Sequence, residues 1–208
     1  MQRRLFALST TAALLALAGC QRAAEPAAPA APAGAAPADS ANVPAAANPA
    51  AAQARDAYTL AATGKGFSTG PIMSAHTIYV FFDTTCPHCA HLWASAKDVG
   101  GKLKIVWMPI GLLRPQSLPQ GATILSAADP AAAMAENEAS VLARGNGITA
   151  AGSLDEAVVA QVKANTELFR QLNSDSVPLI VYRNSQTGQV GQHAGAVDAA
   201  KLMEFAGL

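Results

Sequence analysis

The sequence predicts an α/β fold with a helical insertion between its second and third strands. The β-branched and aromatic run at residues 77–82 has the composition of a buried strand. A Cys-x-x-Cys motif follows it where a helix should begin, and far along the chain a proline directly precedes another apolar strand at residues 179–182. With 208 residues, the chain can form one domain of ordinary size plus additional segments.

Composition argues against several classes of protein. Fourteen basic and fourteen acidic residues cancel, so we expect no nucleic-acid partner. Three cysteines are too few for a disulfide-rich scaffold, and no set of cysteines and histidines has the spacing of a structural zinc site. We therefore predict no metal and no bound cofactor.

Residues 1–19 have the pattern of an export signal. Two arginines precede an apolar run that is shorter than the about 20 residues needed to cross a membrane. The run ends at Leu17-Ala18-Gly19-Cys20, which resembles the bacterial lipobox, and this resemblance implies lipidation of Cys20. A plain cleaved signal and an uncleaved anchor are the alternatives. We predict a lipid-anchored protein of the oxidising periplasm, and Gln21 favours the outer over the inner membrane because it stands where an aspartate would retain a lipoprotein.

Residues 20–54 predict a disordered tether behind the lipidated cysteine. Alanine and proline dominate this segment, and repeated prolines favour extended conformers over helix. Apart from Val43 it offers no large apolar side chain for a core. We expect the tether to let a folded domain at residues 55–208 search the space around its membrane, the alternative being a passive spacer.

Terminal signals define the first helix and the insertion. A helix should begin at Cys86-Pro87 and run to about Val99, where Gly100 and Gly101 stop it, and a second strand should cover residues 103–108. The helical insertion covers about 117–172 in several pieces. Its predicted signals are an Asp129-Pro130 helix start, a helix end at Gly145, a capping box from Ser153 to Glu156, and an apolar stripe of Leu154, Val158, Val162, Leu168 and Leu172.

The C-terminal elements follow the strand at residues 179–182. Residues 184–188 predict a turn and residues 189–194 a short fourth strand. Asp198 should cap a last helix that ends at Gly207.

The segment Cys86-Pro87-His88-Cys89 is the candidate catalytic site. A cysteine at a helix N-cap lies near unpaired backbone N–H groups and the positive end of the helix dipole, and both favour the thiolate. Cys89, one turn further, should be buried and act as the resolving thiol, while His88 can add positive charge or donate a hydrogen bond. A structural disulfide, a metal clip that uses Cys86, Cys89, His88 or His91, and two inert thiols are the alternatives.

Residues near the motif have less specific interpretations. Trp93 should lie on the cysteine face of the helix as core packing. Asp83 should support the turn before Cys86, the alternative being that its charge opposes formation of the thiolate. We interpret His91 as a surface residue, the alternative being that it tunes Cys86, and His76 and His193 as structural or exposed.

Five segments carry a resemblance to a known family. They are Tyr79-Val80-Phe81, Asp83-Thr84-Thr85-Cys86-Pro87-His88-Cys89, Gly111-Leu112-Leu113-Arg114-Pro115-Gln116-Ser117, Ile124-Leu125-Ser126-Ala127-Ala128-Asp129-Pro130 and Val177-Pro178-Leu179-Ile180-Val181-Tyr182. The order of elements resembles the thioredoxin plan. The resemblance is to DsbG/DsbC-type periplasmic thiol:disulfide interchange proteins, most of all DsbG, and it covers the segment from Tyr79 to Leu208. It implies a thioredoxin-like fold, Cys86 as nucleophile, and a cis peptide bond before Pro178, with the Val177 backbone binding an extended substrate.

Two departures from this family shape the functional prediction. Residues 55–75 are too few for the family's N-terminal dimerisation domain, so we expect a monomer. The Pro-His dipeptide and Val177 are typical of DsbA-like oxidases. We predict exchange of disulfides with cysteine-containing periplasmic proteins, recharged by an unidentified DsbD-like or DsbB-like membrane partner. A monomeric DsbA-like oxidase and a non-enzymatic periplasmic metal-binding module are the alternatives.

Overall fold

The computed structural model describes residues 57–99 and 101–208. The predicted signal, Cys20 and tether lie outside these residues, as do positions 55, 56 and 100. No helix within the described ranges is long and apolar enough to cross a membrane.

Five strands form one mixed sheet in the order β1-β3-β2-β4-β5. Their bounds are Phe67–Thr69 for β1, Thr77–Asp83 for β2, Lys104–Ile110 for β3, Leu179–Arg183 for β4 and Val190–Ala194 for β5. Strands β2 and β3 are parallel, and the other pairs are antiparallel. The α/β prediction is confirmed, and the predicted strands are β2 to β5.

Helices cover the sheet and carry the reactive motif. Residues 57–61 belong to a first helix (α1), and the others are α2 at Pro87–Ala96, α3 at Ser117–Ser126, α4 at Pro130–Leu142, α5 at Glu156–Gln171 and α6 at Ala199–Ala206. A 3-10 turn at Lys97–Val99 extends α2 to the predicted end. Helices α3, α4 and α5 form the insertion, which lies between β3 and β4. These are the second and third of the predicted strands, and their numbers differ by one because the three-residue β1 was not predicted.

Two predicted helix boundaries inside the insertion are wrong. Helix α4 ends at Leu142, and the left-handed residue after it is Arg144, with φ 63°, instead of Gly145. The N–H groups of Arg144 and Gly145 donate to the carbonyls of Val141 and Ser140, as in a Schellman motif. The start of α5 is capped by Asp155, whose carboxylate accepts from the Ala157 N–H at 2.7 Å, and Ser153 lies two residues too early.

The last helix matches its prediction. The Asp198 carboxylate accepts a hydrogen bond from the Lys201 N–H at 2.8 Å, and Gly207 has φ 78°. The core lies on both faces of the sheet, and its largest fully buried side chains are Trp107, Phe81, Phe82 and Phe169. The central strand β2 runs through this core and ends at the turn that leads to Cys86.

Candidate active site

Cys86 lies at the junction between β2 and α2. It has extended backbone angles and is the N-cap of α2, while Pro87 occupies the first turn, where its missing N–H removes no helical hydrogen bond. The Cys86 Sγ accepts from the Cys89 N–H at 3.4 Å. Both thiols are free, and Cys86 retains 3% exposure while Cys89 is fully buried. Both sulfurs are thus largely shielded, and only Cys86 retains any contact with solvent.

The fold brings Pro178 to this junction from the far end of the chain. The Val177–Pro178 peptide bond is cis, and the Cys86 Sγ lies 3.6 Å from the Val177 carbonyl oxygen. Val177 precedes β4, and its N–H donates to no residue in the described part of the chain. A backbone group is thus available beside the sulfur at which a mixed disulfide would form.

The surroundings of Cys86 favour its thiolate. The pKa of Cys86 falls from its usual 9.0 to about 7, chiefly because the Cys89 thiol donates a hydrogen bond to it. Burial opposes this fall, the backbone N–H groups of Cys89 and His88 support it, and the Asp83 charge opposes it. His88 therefore acts on the pKa through its backbone, while its exposed side chain forms no hydrogen bond with another described residue.

The surroundings of Cys89 shift its pKa in the opposite direction. Burial is the main reason why its pKa lies well above the usual value, and the hydrogen bond to Cys86 and the charge of that thiolate add to it. Cys89 therefore keeps its proton under conditions in which much of Cys86 is ionised. The two thiols are chemically different although only two residues separate them.

Glu138 is a buried carboxyl group that the sequence analysis did not identify. Its exposure is 1%, its Oε1 accepts a 3.4 Å hydrogen bond from the Asn137 amide, and its Oε2 has no partner in the described part of the chain. The pKa of Glu138 is raised to about 8, chiefly by burial; the Asn137 hydrogen bond opposes the rise, and the charges of Cys86 and Asp83 contribute to it. A signal was present, because Met134, Glu138 and Val141 share one face of α4.

Asp83 supports the turn that carries Cys86. Its buried carboxylate accepts from the Thr85 N–H and hydroxyl at 2.9 and 2.8 Å, from the Ser117 hydroxyl at 2.8 Å, and from the N–H groups of Leu112 and Leu113 at 3.0 and 2.9 Å. One side chain thus joins the reactive turn to the segment after β3. This agrees with the prediction that Asp83 has a role in the turn.

Two amide side chains, Gln120 and Asn137, fix the insertion to the same turn, and we call this pair the amide clamp. Gln120 accepts from the Thr84 hydroxyl at 2.8 Å and donates to the carbonyls of Asn146 and Ile148, both at 2.7 Å. Asn137 donates to the Thr84 carbonyl at 2.9 Å and accepts from the Ile148 N–H at 3.0 Å. The turn beside Cys86 and the loop after α4 are therefore held together.

The other predicted residues lie where their side chains suggest. Trp93 packs in the core against Trp107, with ring centroids 5.0 Å apart, and His91 is exposed. His76 contacts the Ala206 carbonyl at 3.3 Å, and His193 packs against Phe205. Within residues 57–99 and 101–208, no three His, Cys, Asp or Glu side chains form a cluster that could hold a metal ion.

Comparison with known proteins finds similarity to two thiol:disulfide interchange proteins. No protein-family model matches the chain. It is 27% identical over 132 residues to the thiol:disulfide interchange protein DsbG of Pseudomonas aeruginosa, and 29% identical over 127 residues to that of Escherichia coli. These matches cover 62% and 60% of this chain and 50% of each relative. The chain is therefore distantly similar to DsbG over about three fifths of its length.

Solved structures share the fold of this chain. A periplasmic thioredoxin-like protein from Salmonella enterica serovar Typhimurium superimposes with a TM-score of 0.59 at 15% identity, covering 72% of this chain and 93% of that one. The thioredoxin-like fold with a helical insertion is thereby confirmed. The chain spans about half the length of the DsbG proteins it matches.

Proposed function

We propose that this chain is a periplasmic, DsbG-like thiol:disulfide oxidoreductase that exchanges disulfides with protein cysteines through Cys86 and Cys89. The opposite tuning of the two thiols carries the proposal. Cys86 is nearly buried, ionises near neutral pH and lies against the Val177 carbonyl, whereas fully buried Cys89 remains protonated. An exchange protein needs one thiol that attacks and a second that stays silent until the first is bonded.

The reaction conserves atoms and electrons. The Cys86 thiolate attacks one sulfur of a client disulfide, a Cys86–client bond forms, and the other client sulfur leaves as a thiolate that takes a proton from water. Cys89 then loses its proton and attacks the Cys86 sulfur, which releases the second client thiol and leaves a Cys86–Cys89 disulfide. Two electrons pass to the client, and the reverse sequence oxidises a client dithiol.

Val177 and Pro178 are the proposed binding residues for the client backbone. The free N–H of Val177 and its carbonyl, which contacts the Cys86 sulfur, lie before β4 at the point where an extended peptide could pair. Pro178 fixes the chain direction there and has no N–H of its own. The client would therefore be held by main-chain contacts that are independent of its sequence.

The DsbA-like oxidase is the second candidate, because Pro87-His88 and Val177 match that class in the sequence. The pKa of about 7 for Cys86 lies near the upper end of the range of about 3.5 to 7 found in Cys-x-x-Cys sites, and strong oxidants occupy its lower end. We favour interchange because the two curated relatives that the chain matches are interchange proteins. The potential of the cysteine pair against glutathione and the refolding of a reduced protein would separate the two, because an oxidase forms disulfides quickly but corrects wrong ones poorly.

Thiolate titration tests the proposed function directly. The ultraviolet absorbance of the reduced protein should rise with a midpoint near pH 7, because the Cys89 hydrogen bond and the backbone N–H groups stabilise the Cys86 thiolate. The same step should vanish in Cys86→Ser and persist, shifted upward, in Cys89→Ser, which loses the main hydrogen bond. A single step at the usual cysteine pKa in the unmodified chain would contradict the proposal.

Membrane anchoring is the other part of the proposal. Cys20 would carry the lipid, the alanine- and proline-rich segment would act as the tether, and the outer membrane is favoured. Cells grown with a labelled fatty acid should incorporate it into the chain, and Cys20→Ser should abolish the label while leaving the Cys86 titration unchanged. Label that persists in Cys20→Ser would refute the assignment.

A further inference from the structure

A basic groove lies directly beside the reactive cysteine. It has a volume of about 440 Å³ and is lined by Thr85 and Pro87, which flank Cys86, and by His91, Arg114, Leu142 and Arg144. Thus α2 forms one wall, and the insertion with the segment after β3 forms the other. Of the described residues that line the groove, none is acidic.

The two arginines of the groove lack a side-chain partner among residues 57–99 and 101–208. Neither guanidinium forms an ion pair or a hydrogen bond with a side chain in the described part of the chain. An arginine is charged at any physiological pH and presents a planar set of donors that matches a carboxylate. The whole chain has a net charge of zero, so two arginines in a groove without an acidic lining residue create a local excess of positive charge.

The position of Arg144 carries a conformational cost. Its φ of 63° is in the left-handed region, where the C′ residue of a Schellman motif is usually glycine. A glycine at this position would relieve the strain but remove the charge. An outlier of this kind, with its side chain at a groove beside a reactive atom, indicates a functional reason for the arginine.

The loop that carries Arg144 is held rigidly. The amide clamp binds Asn146 and Ile148 to the turn before Cys86, and the Ser140 hydroxyl donates to the Gly147 carbonyl at 3.2 Å. Gly147 itself has φ 81°, and an added Cβ would lie 2.4 Å from the Asn137 oxygen. The groove is therefore already formed beside Cys86 before a client arrives. A preformed groove reduces the entropy lost on binding.

We propose that this groove binds an acidic segment of the client protein, next to the client cysteine that exchanges with Cys86. The inference rests on the proposed function. Arg114 and Arg144 would contact Asp or Glu side chains, His91 would donate a further hydrogen bond, and Leu142, which is 45% exposed, would contact an apolar neighbour. Val177 would hold the client backbone irrespective of sequence, and the groove would select among clients by charge.

Peptide disulfides test the proposal. Full-length Cys20→Ser/Cys89→Ser protein would be mixed at low salt with peptides whose single cysteine is blocked by 2-mercaptoethanol and flanked by two Asp, two Asn or two Lys residues on either side. The Cys86 thiolate displaces 2-mercaptoethanol, and the Cys86–peptide disulfide is measured by mass after acid quenching. We expect the Asp peptides to react about fivefold faster than the Asn peptides, as two exposed ion pairs would give, and the Lys peptides to react slowest.

Charge variants give the decisive comparison. Arg114→Gln/Arg144→Gln should remove the preference for Asp peptides and leave the Asn-peptide rate unchanged, and added salt should do the same. Lys163→Gln/Arg170→Gln removes two positive charges from α5, outside the groove, and should keep the preference. Equal rates for all peptides, or a preference that survives in the arginine variant, would overturn the inference while the exchange function stands. Absence of any Cys86 adduct would overturn the exchange function and the inference with it.

Discussion

Replacing Cys89 with serine should turn a transient intermediate into a stable product, a disulfide between Cys86 and a client cysteine. Cys86 keeps its N-cap position and its contact with Val177 in this variant, so attack continues, but no buried thiol remains to release the client. Turnover should fall to the uncatalysed rate. Non-reducing electrophoresis of periplasmic extracts, followed by mass spectrometry, measures the trapped species.

The matched variant is Cys86→Ser. It should form no adduct, because the remaining Cys89 is fully buried and its pKa lies well above the usual value. Both variants are best made with Cys20→Ser, which removes the only other cysteine of the chain. Equal trapping by Cys86→Ser would reverse the assigned roles, and trapping by neither would refute exchange through this pair.

Replacing Glu138 with glutamine should remove a pH dependence from the stability of the fold. The pKa of Glu138 rises from 4.5 to about 8 on folding, mainly through burial. Below pH 4.5 the folded and unfolded chains both bind the proton. At higher pH the unfolded chain releases it first, so the free energy of unfolding falls as pH rises towards 8. Between pH 4.5 and pH 7, this loss should be about 2 to 3 kcal/mol, and Glu138→Gln should not show it.

The measurement uses denaturant unfolding of the Cys86–Cys89 disulfide form, in which neither thiol titrates; the Cys86 charge is absent there, but burial, the main cause of the raised Glu138 pKa, still acts. The control is Glu136→Gln, an exposed residue of the same helix, which should follow the unmodified chain at every pH. Parallel curves for the unmodified chain and Glu138→Gln would show that Glu138 ionises normally. In the reduced protein, loss of this carboxyl should also change the pH at which Cys89 resolves a mixed disulfide, since the Glu138 charge contributes to its pKa.

Local sequence signals predicted most helix boundaries at which a strong capping residue is present. Cys86, Asp129 and Asp198 are N-caps in the structure, and Gly207 ends the last helix. Each of these depends on a few adjacent residues, so the sequence is sufficient. The two wrong boundaries had two local candidates each. Both Ser153 and Asp155 can cap a helix, and Asp155 does so here. Arg144 adopts the left-handed conformation that Gly145 would adopt with less strain.

Features that depend on distant residues were beyond the sequence. Strand β1 has three residues and exists through its pairing with β3, in which Phe67 is opposite Trp107. Burial of Glu138 and convergence of Arg114 with Arg144 require the insertion to fold over α2. The sequence identified the two cysteines because their spacing is itself a chemical signal, while the groups around them are brought together only by tertiary packing.

The amide clamp has a consequence for engineering. Gln120 and Asn137 belong to the insertion, yet both bind Thr84, two residues before the nucleophile. A chimera that receives a foreign insertion would leave the Thr84 carbonyl and hydroxyl without these partners. The turn that positions Cys86 would then lose the hydrogen bonds that hold it to the insertion. A chimera designed to keep this site must therefore carry Thr84, Gln120 and Asn137 together.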